Sequence, residues 1–149
     1  MVKQAISTPC IGVCSTVYGD LVCRGCKRYA HEVIEWNGYD SPQKIVVRER
    51  LAMLRDQAVD EHLVIEDEAR LRSQIEAHRI PCSDDDSLPS LVYALLWRGA
   101  SNMRNLAAYG LRARASGACE ALELMRSIDA DFYIRSQAHY ERNFRIIVR

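Results

Sequence analysis

The chain has no net charge, no long apolar run and no catalytic signature, and each absence removes a class of function. Twenty Lys and Arg balance twenty Asp and Glu over 149 residues, so no global field draws the chain to nucleic acid. No apolar stretch approaches the roughly 18 residues of a membrane-spanning helix. The opening, MVKQAISTPC, holds one Lys and no apolar signal-peptide core, so we expect a cytoplasmic protein. GxSxG, HExxH, Walker and GxGxxG motifs are all missing. The four histidines, His31, His62, His78 and His139, are scattered. No catalytic site is expected. Lysine is scarce as well: 17 of the 20 cations are Arg, a bias toward hydrogen-bonded contacts with carboxylate or phosphate.

What the chain does have is cysteine. Four of its six cysteines fall within seventeen positions, as Cys10-x3-Cys14-x8-Cys23-x2-Cys26. Two close pairs joined by a short loop can bring four thiolates around one metal. Sulfur is a soft donor, so an all-thiolate set selects zinc or an iron–sulfur centre over magnesium or calcium. In a reducing compartment such a cluster indicates metal rather than disulfides. Gly12 and Gly25 sit inside the two pairs, where the backbone must turn tightly. Arg24, Lys27 and Arg28 crowd the second pair. Together with Trp36 they are expected to surround the sulfurs, the cations offsetting the negative charge of four thiolates on a dication. Cys82 and Cys119 stand apart and are expected to be buried, inert thiols.

The fold expected is α+β, mainly α. A four-cysteine metal knuckle with short helices occupies residues 1–59, and a mostly helical domain with minor β occupies 60–149. Tyr29, Val33 and Trp36 share a helical face, ended by Asn37-Gly38. Ser41-Pro42 reads as the start of a helix, with Ser41 as its cap. Val47, Leu51, Leu54 and Ala58 form its apolar stripe. His62 to Ile65 is a β-prone run. Asp67 caps a helix over 68–79, unless the preceding helix simply continues. Residues 83–87 form an acidic loop. A helix over 88–97, closed by Gly99, and a second from Ser101 to Tyr109 have the order of a helix-turn-helix. Another helix spans 118–128. Alternation of Phe132 and Ile134, then Phe144, Ile146 and Val148, predicts a C-terminal β-hairpin or edge strands.

Residues 8–55 resemble a small bacterial family usually described as predicted Fe–S proteins, the YdhL-like proteins. Pro9, Cys10, Gly12, Cys14, Cys23, Gly25, Cys26, Arg28, Glu32, Trp36 and the helix start at Ser41 carry the likeness. Tyr29, Gln43 and Lys44 depart from it. The resemblance implies a bacterial cytosolic protein with a four-cysteine metal module, and it implies no particular activity. It covers a third of the chain.

These readings converge on a metal-binding accessory or interaction protein, its cofactor an iron–sulfur cluster or a zinc ion and its partner another protein. One alternative is an iron–sulfur electron-transfer or cluster-sensing protein. The other is a nucleic-acid-binding regulator. Residues 88–149 carry nine Arg against five acids, and Arg104, Arg112 and Arg114 would form its contact surface.

Overall fold

The computed structural model describes residues 8–115 and 120–144. In chain order its elements are α1 (Ala30–Glu35), α2 (Ser41–His62), β1 (Leu63–Ile65), α3 (Glu68–Ala77), α4 (Leu88–Gly99), β2 (Leu111–Ala113) and α5 (Ala121–Phe144), with single 3-10 turns between them. The class is α+β and mainly α. The chain divides into two compact units, Met1–Leu54 with Phe132–Arg149, and Arg55–Asp131.

In the first unit, the segment from Leu21 to Ala30 doubles back on itself. Val22 bridges Tyr29 in antiparallel fashion, the Ala30 N–H donates to the Leu21 carbonyl, and the Cys23 N–H donates to the Arg28 carbonyl. Cys23 and Cys26 therefore ride at the tip of a tight hairpin. The Glu32 carboxylate accepts the Tyr29 N–H at 2.9 Å and satisfies the start of α1. For α2, the cap is Asp40 rather than Ser41. The Asp40 carboxylate accepts the Gln43 N–H, and the Gln43 side chain accepts the Asp40 N–H, both at 2.9 Å. A carboxylate with a Gln three residues on makes a reciprocal pair that Ser41, one position later, does not complete. Val47, Leu51, Leu54 and Ala58 are all buried, as their spacing predicts.

The second unit is built on ordinary apolar packing. β1 and β2 pair antiparallel in the register Leu63↔Ala113, Val64↔Arg112 and Ile65↔Leu111. Asp67 caps α3 by accepting the Arg70 N–H at 3.0 Å, so α2 ends at His62 and does not run on. Ser87 caps α4, and its hydroxyl also donates to Asp56 at 2.5 Å. Leu91, Val92, Leu95 and Leu96 are buried on α4.

Two expectations fail. No β-hairpin forms over 132–144: α5 continues through Phe144, and residues 145–149, with Ile146 and Val148, lie outside the description. No Gly or Pro interrupts Ala121 to Phe144. The buried positions Leu124, Met125, Ile128, Phe132 and Ser136 follow a helical period, and Ile134 points to solvent. The helix expected over 101–109 is also absent. Two 3-10 turns, Ala100–Asn102 and Leu106–Tyr109, take its place, the second capped by Asn105. No recognition helix of a helix-turn-helix exists there.

Candidate metal centre

The two cysteine pairs lie against each other. A Cβ on Gly25 would come within 2.4 Å of the Val13 carbonyl oxygen and 3.2 Å of the Ile11 side chain. Only glycine allows the second turn to sit this close to the first. The Arg24 N–H donates to the Ser15 hydroxyl at 2.7 Å and ties the two turns further. Gly12 takes φ +89°, and its N–H donates to the Cys10 sulfur at 3.4 Å.

The second pair is buried. Cys23 is 1% and Cys26 8% exposed. Burial pushes the Cys23 thiol up, but hydrogen bonds from the backbone of Cys26, Ser15 and Gly25 outweigh it, bringing its pKa down to about 7. Backbone N–H groups aimed at one sulfur favour the thiolate, as they favour other anions in backbone nests. Cys26 is raised, chiefly by burial, against the pull of Arg28. The Arg28 Nε donates to the Cys26 sulfur at 3.3 Å.

The cations around the pair do not behave alike. Lys27 and Arg28 are buried, at 0% and 4% exposure. Lys27 has φ +65°, a conformation that costs a residue with a Cβ about 1–2 kcal/mol. Its ammonium donates to the Gly25 carbonyl at 3.0 Å and lies 5.2 Å from the Phe132 ring centre. Arg28 lies 5.0 Å over the Trp36 ring, itself buried, with Lys44 at 5.6 Å. Arg24 is exposed and turns to Asp20 at 3.2 Å.

Cys10 is exposed and Cys14 half-buried. The Cys14 sulfur pairs with the Thr16 hydroxyl at 3.0 Å, and Cys23 reaches the Val13 carbonyl at 3.5 Å. Each of the four sulfurs thus has its own local partner. Among the described residues, no three Cys, His, Asp or Glu side chains converge closely enough to hold a metal ion. The donor chemistry and the adjacency of the two turns suit a soft metal, while the four sulfurs are not drawn to one point.

Residues outside the cysteine stretch complete the surroundings. Tyr29 is fully buried, and burial pushes its phenol up to about 12. Its hydroxyl meets His139 Nδ1 at 2.5 Å, and the Arg50 guanidinium lies 4.0 Å over its ring. Arg50 also forms two bonds of 2.6 Å with the Glu32 carboxylate. Ser15, Arg50, Phe132 and His139 were not legible as members of this region. Ser15 acts through its hydroxyl on Arg24 and its backbone on Cys23, and the others are remote in sequence.

The remaining candidates are placed elsewhere. Cys82 is exposed rather than buried: it follows Pro81 at the edge of an acidic loop, where no apolar element covers it. Cys119 lies outside the described residues. Arg112 pairs with Glu66, and Arg114 donates to the Asp60 carbonyl at 2.6 Å. Arg104 is exposed. Among the described residues, no helix is long and apolar enough to cross a membrane.

No curated protein and no solved structure matches the chain. A family model described as "Protein of unknown function (DUF1289)" matches residues 8–55, the stretch from just before the first cysteine pair to the middle of α2.

Proposed function

We propose that this is a metal-binding accessory protein, in which Cys10, Cys14, Cys23 and Cys26 close as thiolates around one zinc ion or one iron–sulfur cluster and the assembled module engages another protein. The observation that carries the reading is the buried Arg28, whose Nε donates to the buried Cys26 sulfur at 3.3 Å. A buried cation costs several kcal/mol unless negative charge lies nearby. Thiolates at Cys23 and Cys26 supply that charge, and backbone N–H groups are already turned toward Cys23. An all-sulfur site with no open position has a structural or electron-carrying role, not a hydrolytic one. Binding would exchange the local partners of Cys10 and Cys14 for metal–sulfur bonds. It would contribute on the order of 10 kcal/mol, enough to hold a module of this size together.

Anaerobic purification followed by metal analysis and an absorbance spectrum tests the reading. One equivalent of zinc in a colourless protein, or iron and sulfide with a visible band that bleaches on reduction, supports it and separates the two cofactors. A chain without metal, whose thiols all react freely, contradicts it.

A further inference from the structure

Beyond the metal site, the first unit holds a groove of about 490 Å³ between the segment 19–22 and the last three turns of α5. Among the described residues, its lining carries the rings of Tyr133, Tyr140 and Phe144 and the carboxylates of Asp20 and Glu141, and no Lys, Arg or His. We propose that this groove binds an arginine-bearing segment of a protein partner.

The wall combines the two surfaces that a guanidinium recognises. Its flat face stacks on aromatic rings, and its N–H fork pairs with carboxylate. The Tyr140 and Phe144 rings lie nearly parallel, 5.7 Å apart, and Tyr133 offers a third face. The protein displays this mode of recognition at the groove itself. The Arg24 guanidinium lies 5.2 Å over the Tyr133 ring, and its Nε donates to Asp20 at 3.2 Å. The Arg24 side chain is 68% exposed, and an exposed pair of this kind is worth little, so an incoming arginine can take its place. Val17, Tyr18 and Leu21, on the segment leading into the groove, are 77%, 90% and 59% exposed. Apolar side chains beside the groove call for a peptide or protein ligand, which would cover them, rather than for free arginine. The inference needs no metal.

The test uses the full chain and two short probes, acetyl-Leu-Arg-Leu-amide and the same peptide with Glu in place of Arg. Ring-proton NMR shifts of Tyr133 and Tyr140 are followed on titration. The arginine peptide should give saturable shifts and the glutamate peptide none. Tyr133→Ala and Glu141→Gln should each weaken binding by about tenfold, while Arg24→Ala should strengthen it. Should Tyr133→Ala fail to fold, judged by circular dichroism, the exposed Glu141→Gln decides. Absence of shifts with the arginine peptide, equal shifts with both peptides, or no loss in Glu141→Gln overturns the proposal. Shifts that appear on concentrating the protein alone make a second copy the occupant, and binding seen only after removal of residues 145–149 makes the chain's own end the occupant. Either result also overturns it.

Discussion

In the unit spanning Arg55–Asp131, the most deeply buried side chains include Leu71, Leu95, Leu96 and Leu111, and two capped helices pack with a short strand pair. In the other unit, the interior includes Cys23, Cys26, Lys27, Arg28, Tyr29 and Glu32. The first kind of interior is stabilised mainly by apolar burial, at roughly 25 cal/mol per Å². The second places charges and thiols where water cannot reach them, and each needs an opposite charge or a hydrogen bond. Glu32 and Arg50 answer each other. Arg28 looks to the Cys26 sulfur, and Lys27 donates to the Gly25 carbonyl. The difference sets a unit held largely by packing beside one that, on the proposed reading, calls for a specific chemical state of its cysteines.

Four substitutions or conditions break or sharpen that contrast. The largest effect is expected for Cys23→Ser, which on the proposed reading would remove a ligand worth a share of the roughly 10 kcal/mol of metal binding. Hydrogen exchange should show residues 21–35 losing protection while 91–96 on α4 keep theirs. Equal loss in both would erase the distinction. Glu32→Gln comes next. It leaves the Arg50 guanidinium buried without its carboxylate and should cost about 3–5 kcal/mol in denaturant unfolding. A loss below about 1 kcal/mol would show that the pair behaves like a surface bridge. Leu95→Ala should cost about 2–5 kcal/mol by opening a cavity, with metal content unchanged. A fall in metal content would tie the two units together.

The smallest effect concerns pH. His139 is lowered, chiefly by burial and then by Arg50 and Arg142, with Glu32 opposing. The folded state therefore prefers the neutral ring, which can accept the Tyr29 hydroxyl. The stability this confers is complete above the unfolded value of about 6.5 and is lost as pH falls from there through the folded value. Thermal melting should fall between pH 7 and pH 5 in the native chain, and His139→Gln should flatten that dependence. An unchanged slope in the variant would assign the effect to another group.

Much of the fold was legible because local chemistry dictates it. The apolar stripe of α2, the cap at Asp67, the Leu-rich face of α4 and the brief β run at Leu63–Ile65 all declare themselves within a few residues. The failures have physical causes. Phe132 and Ile134 alternate like a strand, but the helical period across Leu124 to Ser136 is longer and prevails. Leu111–Ala113 was missed as a strand because three residues carry too little pattern, and its partner lies some fifty positions away. At the candidate site, cysteine spacing marked two turns that the fold brings against each other, and sequence adjacency placed Lys27 and Arg28 beside the second pair, where both are buried. Arg24 turns outward to Asp20, and Lys27 adopts a left-handed backbone conformation that no sequence rule favours for lysine. Tyr29, His139 and Phe132 meet only through tertiary packing.

The central claim is that four sulfurs from two adjacent turns share one metal centre. X-ray absorption at the metal edge of the anaerobically purified chain counts those sulfurs directly. The account predicts a single shell of about four sulfur atoms per metal at roughly 2.3 Å, losing a scatterer in Cys10→Ser. A shell dominated by nitrogen or oxygen, or one unaltered by loss of Cys10, would contradict it.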